Sequence, residues 1–342
     1  MQQPFVVGAW DTPAGPAPMV EARLTGADRL GGCKARWGVG RMRYTVEPGL
    51  YALGRPGSDD PILVSANYKL SFDNLRAALI GRDAWILVLD TNGINVWCAA
   101  GKGSLGTDNL VQSLKEFGLK RIVRHRRVIA PQLAAPGIAA HEVRRRDGFR
   151  VVFGPVQATD LPAFLDAGNK ASPAMRRKTF TLRERLVLVP IELVQALAYA
   201  LPTALGLALL GALLGPGGFG AALWGWGLPL ALMLLGAVLA GAVAGPLLLP
   251  WLPGRAFAMK GLAVGALAGL AALGLGRPDF LAGLGWIMIS LSVSSFLLMN
   301  FTGASTYTSL SGVKREMRWA APVQIGLGAA GLIAWLAGLI LC

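Results

Sequence analysis

Cys98 stands in the string Asn95-Val96-Trp97-Cys98-Ala99-Ala100-Gly101-Lys102, and its neighbours are of the kind that make a thiol reactive. Asn95 is a strong helix N-cap, which places Cys98 at the third position of the helix it opens. The partial positive charge at a helix start favours thiolate over thiol, and Lys102, one turn on, adds a cation to the same face. Ala99, Ala100 and Gly101 are small, so that face is expected to be nearly flat and open to a large planar group. The thiolate is the form of cysteine that binds a metal. The competing reading is a small buried cysteine with no chemistry. It is the reading for Cys33 and Cys342, whose surroundings offer nothing comparable.

Three cysteines with no close pair exclude a disulfide framework and any zinc or iron–sulfur site built from spaced cysteines. Two other patterns in this segment fail. Gly101-Lys102-Gly103-Ser104-Leu105-Gly106 has dinucleotide-loop spacing but starts too far from the preceding strand, and no acid follows at the required distance. A phosphate loop ending at Gly101-Lys102 would need glycine at position 96, which is Val96.

The elements that position Cys98 alternate strand and helix. Residues 62–66 (ILVSA) are a branched apolar strand, and Ser71 can cap a helix to about 81. Residues 84–90 (AWILVLD) are a continuous apolar run, as for a strand buried on both faces of a parallel sheet. Thr107 can cap a helix over 108–118 that ends at Gly118. Short strands are expected within 120–129 and at 149–153, and Thr159 opens a short helix with Pro162 in its first turn. The first 45 residues are rich in Gly and Pro and show few periodic apolar positions. This alternation predicts a small doubly wound sheet, whose ligands sit beyond the carboxyl ends of the strands. Those ends are Ser65 to Tyr68 and Thr91 to Gly106.

Charge and hydropathy divide the chain near residue 185. Residues 1–185 carry 27 of the 33 Lys and Arg and 16 of the 19 Asp and Glu, a net charge of +11; the remainder is +3 and far more apolar. Mean hydropathy is +0.50 overall, and five stretches long enough to span a bilayer are expected at about 187–213, 222–249, 259–275, 280–301 and 320–341. Arg255, Lys260, Lys314, Arg315 and Arg318 fall on the side shared with the basic half and Arg277 on the other, which puts the basic half in the cytoplasm and Cys342 outside. The N-terminus lacks the pattern of a signal peptide, in keeping with a cytoplasmic domain. Glu192, Gln195, Asn300 and the serines at 290, 292, 294 and 295 are the polar groups within the spans. The many small residues predict helix packing and anchoring rather than a conduction path. The clusters Arg124–Arg127, Arg144–Arg146 and Arg176–Lys178 come without a nucleic-acid motif and indicate a membrane surface or an acidic partner.

Residues 95–102 match at every position the N-(V/I)-W-C-A-(A/G)-G-K motif of the HgcA family, the membrane corrinoid proteins of microbial mercury methylation. The resemblance extends through RWGVGRMRYTVEPGLYALGRP (36–56), PILVSANYKLSFDNLR (61–76) and VVFGPVQATDLPAFL (151–165) to the five spans. Ser65 stands where the family more often has Thr, which keeps the hydroxyl. The globular part also resembles the corrinoid-binding domain of the large subunit of the corrinoid iron–sulfur protein, without that subunit's cluster cysteines.

The resemblance implies a Rossmann-like α/β corrinoid-binding domain (1–170), a basic linker (171–186) and an all-α domain of five transmembrane helices (187–342) in the inner membrane. It implies that Cys98 is the lower axial ligand of cobalt in a base-off corrinoid. Neither His125 nor His141 stands in the D-x-H-x-x-G pattern of histidine-ligated cobalamin proteins. Asn95, Val96, Trp97, Ala99, Ala100, Gly101 and Lys102 would form the wall under the ring, with Ser65, Asn67, Tyr68, Gly154 and Pro155 as contacts from neighbouring strand ends. The implied activity is methyl transfer from a methyltetrahydrofolate-derived donor, through cobalt, to Hg(II). A methyl carrier for another acceptor and a transporter with a cytoplasmic regulatory domain are the alternatives. The chain has no iron–sulfur cluster of its own, so the implied partner is a ferredoxin-like protein with two 4Fe–4S clusters, docking at the basic surface of Arg124–Arg127 and Arg144–Arg146.

Overall fold

The structure is a computed structural model that describes residues 3–304 and 310–341; Cys342 lies outside these. The chain divides into two units, residues 1–35 with 39–179 and residues 36–38 with 180–342.

The first unit is built on a seven-stranded sheet of order β1-β2-β3-β5-β4-β6-β7. Strands β4 (Ile62–Ala66), β5 (Ala84–Leu89), β6 (Arg127–Ala130) and β7 (Arg150–Phe153) are mutually parallel. Every residue of β4 and β5 is buried, which is why their sequences run apolar without alternation. Helices cover both faces. α2 (Lys69–Ala78) and α7 (Leu161–Asp166) pack Phe72, Leu75, Leu161 and Phe164 on the side of Leu63, Ile86 and Val88. α3 (Val96–Lys102), α4 (Thr107–Glu116), α5 (Leu119–Ile122) and α6 (Ala140–Asp147) pack Ala99, Leu110, Leu114, Leu119 and Val143 on the side of Val64, Trp85 and Leu87. The doubly wound α/β class holds.

The sheet is larger than expected and mixed. β3 (Gly49–Leu53) runs antiparallel to β5, and the hairpin of β1 (Val6–Trp10) and β2 (Ala17–Val20) extends it. The Gly- and Pro-rich start therefore contains two strands and helix α1 (Gly26–Arg36). Pro18 is tolerated because β2 pairs with β3 only through Met19 and Val20. Two expected caps differ: α2 starts at Lys69 with Tyr68 as its N-cap, so Ser71 lies inside the first turn, and α4 is capped at Gly106. The Thr107 hydroxyl instead accepts from Ala139 N at 2.8 Å. Residues 120–129 are not one strand; α5 occupies their start and β6 begins at Arg127.

Among the described residues, the second unit contains five helices long and apolar enough to cross a membrane: Leu182–Leu214, Phe219–Leu248, Phe257–Gly276, Phe280–Asn300 and Gly312–Leu341. The fifth helix starts at Leu310, ahead of the start near residue 320 expected from sequence. Glycines set the helix spacing. A Cβ on Gly261 would stand 2.5 Å from Ser295 Cα, and one on Gly241 2.8 Å from Ser294 Cα. The fourth-helix serines donate across to backbone carbonyls, Ser290 to Gly265 at 2.8 Å, Ser294 to Ala237 at 2.8 Å and Ser295 to Ala258 at 3.0 Å. These contacts satisfy the hydroxyls by helix packing.

Candidate functional site

The peptides that leave β4 and β5 meet at the carboxyl edge of the sheet, and Asn67 joins them. Its Oδ1 accepts from Thr91 N (3.1 Å), Thr91 Oγ1 (2.8 Å) and Gly93 N (2.9 Å), while its Nδ2 donates to Asp90 Oδ1 at 3.1 Å. Asp90 Oδ1 also accepts from Asn92 N, and Ile94 O lies 2.8 Å from Thr91 Oγ1, so it shares that single hydroxyl proton with Asn67. The turn places Asn92 and Gly93 at positive φ. It delivers Asn95 in extended backbone, where its side chain accepts from Cys98 N at 2.9 Å. The cap is as the sequence predicts, and Cys98 occupies the third helical position.

Helix α3 ends at Gly103, whose φ of 83° suits glycine, and a Cβ on Gly106 would stand 2.7 Å from Gly103 O. These glycines of the G-x-G-x-x-G pattern thus serve the turn from α3 to α4. Asn109 on α4 fastens both ends of the segment, donating to Asp90 O (2.7 Å) and Ser104 O (2.8 Å). Beneath α3 passes the loop after β6. A Cβ on Gly137 would collide with Leu105 O and stand 3.0 Å from Ala100 O, so glycine is required there.

The helix presents a narrower face than the sequence suggested. Ala99 and Ala100 are 0% and 4% exposed and point into the core; their small size serves packing on the Gly137 loop instead of the open face. Val96 also packs against that core. Trp97 and Cys98 are half-buried, and Gly101 and Lys102 are exposed. Nothing lies within 4 Å of where a Gly101 Cβ would be, so backbone is bare beside Cys98.

Other expected contacts sit deeper. Ser65 is 2% exposed and its hydroxyl donates to Ala66 O at 3.0 Å; Asn67 is 6% exposed. Tyr68 is buried with the Arg41 guanidinium 5.4 Å over its ring. Gly154 and Pro155 leave β7 on the same edge but beyond β6, and Gly154 O is 3.5 Å from Arg176, which also bonds Gln132. The structure therefore joins β4, β5 and α3 directly, and sets Gly154-Pro155 apart along the edge.

Sequence reasoning missed the segment before β3. Thr45 bridges to Tyr68, Val46 N donates to Asn67 O at 2.8 Å, and Met42 O lies 3.3 Å from where a Gly93 Cβ would be. Residues 42–46 thus border the site. They are held by a buried charge cluster in which Lys69 Nζ lies 2.6 Å from Asp28 and 2.7 Å from Asp73, and Arg76 Nη2 lies 2.8 Å from both carboxylates. Burial opposes ionisation of Asp28, but hydrogen bonds from Lys69, Thr25 and Arg76 outweigh it and hold the carboxyl well below its ordinary range. The single Tyr44 hydroxyl proton is shared between the backbone Asp28 O (3.1 Å) and Asp73 Oδ2 (3.4 Å); burial and the nearby Asp73 and Asp28 carboxylates raise its ionisation above the usual tyrosine range.

Among the described residues no three His, Cys, Asp or Glu side chains converge on a metal site. A metal bound at Cys98 would bring most of its ligands with it. Arg124–Arg127 lead into β6, which Arg127 opens, and Arg144–Arg146 precede β7, so they lie on the amino edge, opposite Cys98. A 340 Å³ cavity lined by Asp60, Asp83, His125 and Arg127 lies on that amino edge too.

Replacing Asn95 with Ala removes the cap at the helix that carries Cys98. The expected cost is about 1 kcal/mol, felt locally. Amide hydrogen exchange should quicken in residues 96–102 while β4 and β5 keep their protection; uniform protection would refute the positioning role.

Residues 40–165, which span this edge from the segment before β3 through α7, match the family described as CO dehydrogenase/acetyl-CoA synthase delta subunit. Among individual proteins, the chain is 33% identical over 128 residues to the acetyl-CoA decarbonylase/synthase complex subunit gamma of Methanothermobacter thermautotrophicus, covering 37% of this chain and 28% of that one. The corresponding subunits of Archaeoglobus fulgidus and Methanosarcina acetivorans are each 30% identical, over 128 and 130 residues, again covering 37% of this chain and 27% of theirs. The chain spans little more than a quarter of the length of these curated relatives. The family match ends at residue 165, before the five long helices.

Proposed function

We propose that the chain is a membrane-anchored corrinoid methyl carrier with Hg(II) as its methyl acceptor. The observation that carries this reading is the Asn95-capped helix that holds Cys98, half-exposed beside bare backbone, at the carboxyl edge of a doubly wound sheet. Similarity of residues 40–165 to subunits of acetyl-CoA decarbonylase/synthase complexes supports a corrinoid domain, in line with the resemblance of this part to corrinoid proteins of acetyl-CoA synthesis. The acceptor rests on the match of residues 95–102 to the mercury-methylation motif.

The residues present fit the group. A large planar ring needs a face without projecting side chains, and Gly101 leaves that space open next to the thiol. Cys98 would be the lower axial ligand of a base-off corrinoid, with Trp97, Gly101 and Lys102 beside it and Asn95 fixing its backbone. Asn67 sets the turn that aims the helix, a positioning role in place of direct contact. When bound, the corrinoid supplies a cobalt centre that takes a methyl group from a methyltetrahydrofolate-derived donor and gives it to Hg(II). Cys98 would hold the metal through its thiolate and would supply electron density to it.

Residues 1–170 would be the cytoplasmic corrinoid domain, 171–186 a basic linker and 187–342 the anchor in the inner membrane. Electrons would come from a ferredoxin-like protein with two 4Fe–4S clusters. Its docking site is expected on the carboxyl edge near Cys98, because Arg124–Arg127 and Arg144–Arg146 face the other way, whereas Arg176 reaches Gly154 O on the carboxyl edge.

The test is the ultraviolet–visible spectrum of the full-length protein reconstituted with cobalamin, followed by single-turnover assays with Hg(II) and with other methyl acceptors. A base-off, thiolate-ligated spectrum and methylmercury formation are expected. A spectrum of free cobalamin would refute the corrinoid reading; methylation of other acceptors in preference to Hg(II) would refute the mercury role alone.

A further inference from the structure

Helix α1 turns one face inward and the other out. Asp28, Gly32 and Ala35 are buried, and the Tyr44 ring stands 2.7 Å from where a Gly31 Cβ would be. On the opposite side Leu30, Cys33, Lys34 and Trp37 follow at helical spacing and share one stripe. Trp37 keeps to the stripe because the helix closes around Gly38, at a φ of 79°, with Val39 N donating to Lys34 O at 2.9 Å. Leu30 is 56% and Trp37 48% exposed, and Cys33 and Lys34 are exposed with them. Arg29 and Arg36 border the apolar positions on one side and Lys34 on the other. The only acid of the helix, Asp28, is buried and spent on Lys69 and Arg76, so no carboxylate of α1 offsets these three cations.

We infer that α1 lies along an anionic bilayer surface, with Leu30, Cys33 and Trp37 at the acyl boundary and Arg29, Lys34 and Arg36 among the headgroups. The inference rests on the reading of the second unit as a membrane anchor. Apolar side chains on one face with cations at both borders are the pattern of an interfacial helix, and tryptophan favours that depth. The long stems of arginine and lysine lie on the apolar boundary while their charges stay in water. A protein partner would need an apolar groove rimmed by acids, whereas an anionic leaflet offers both features along its whole surface. Arg36–Gly38 are grouped with the second unit, where Ile191 and Val194 stand 3.4 and 3.6 Å from the position of a Gly38 Cβ. Trp37 is thus next in the chain to a residue packed on a helix apolar enough to span a bilayer. Three apolar side chains would bind lipid weakly by themselves, and attachment to an anchor supplies the effective concentration. The inner face of α1 gives Asp28 to the charge cluster that holds residues 42–46, so the helix links the lipid surface to the border of the cofactor site.

The experiment places a nitroxide on Cys33 in full-length protein carrying Cys98→Ala and Cys342→Ser, inserted into nanodiscs of phosphatidylcholine and phosphatidylglycerol. Power saturation compares the access of oxygen, which concentrates among acyl chains, with that of a water-soluble nickel chelate. The reference is a label at Ile80→Cys in the Cys33→Ser form, an exposed apolar position beyond α2. The oxygen-to-nickel ratio should be at least threefold higher at Cys33 than at the reference. Arg29→Glu with Lys34→Glu, shown to be folded by circular dichroism, should lower that ratio at least twofold. A label at Cys33 as open to nickel as the reference, in protein that has entered the nanodiscs, would overturn the inference and leave the anchor standing. Shielding from both reagents would overturn the bilayer in favour of a protein contact. A chain that stays out of the nanodiscs would overturn the anchor and this inference together.

Discussion

Cys98→Ala is expected to fold like the parent chain and to lose methyl transfer by about two orders of magnitude or more. The two halves of this expectation have separate causes. The helix that carries residue 98 is capped through the backbone N–H of Cys98 and the side chain of Asn95, and neither changes when the thiol is removed. Ala99 and Ala100 keep the helix seated in the core, and the half-exposed Sγ contributes little apolar burial. Stability should therefore move by less than about 0.5 kcal/mol, as for a surface substitution. Function should fall much further, because even groups that only orient a metal ligand are worth 10- to 100-fold.

The control is Cys98→His. Imidazole can bind cobalt but is a weaker charge donor than thiolate, so this variant should retain corrinoid and transfer methyl poorly. Absorption spectra and single-turnover methylmercury yields separate the cases. A Cys98→Ala protein with undiminished yield would remove the cysteine from the mechanism, whatever the spectrum.

The parts of this arrangement that were legible in the sequence are those encoded locally. Continuous apolar runs announced β4 and β5, and Asn95 three residues before Cys98 announced the cap, because both signals lie within one turn or one strand of the residue concerned. The parts that were not legible depend on partners far along the chain. β3 is antiparallel to β5 across more than thirty residues, and the strands β1 and β2 are short, with glycine and proline that read as turns. Asn67 looked like a ligand contact because it follows a strand in the right place. Only the structure shows its amide spent on Thr91, Gly93 and Asp90. Ala99 and Ala100 looked like an open face because small residues serve exposed and closely packed faces equally well, and the direction of the helix decides which.

The buried cluster of Asp28, Lys69, Asp73 and Arg76 gives the largest expected effect on stability. Its charges balance, and the Arg76 side chain is fully buried, with further donations to Glu21 O at 2.5 Å and Arg23 O at 3.3 Å. Removing one partner leaves an uncompensated charge in the interior, so Arg76→Met or Asp73→Ala should cost 3–5 kcal/mol, on the order found when buried pairs are broken. The damage should reach the site, because Tyr44 and Lys69 are joined backbone to backbone where residues 44–46 border Asn67 and Tyr68.

Acid should expose the same cluster. The folded Asp28 carboxyl ionises below its ordinary value of 3.8, so the unfolded chain binds more protons in that range and stability rises with pH through it. The contribution is fully present above about pH 5 and is lost as pH falls past 3.8 toward the lower folded value. Thermal unfolding of residues 1–179 within the full chain, followed by hydrogen exchange, should therefore weaken steeply below pH 4, and less steeply in Asp28→Asn. Parallel acid profiles for the two proteins would show that the cluster is not what couples this unit to pH.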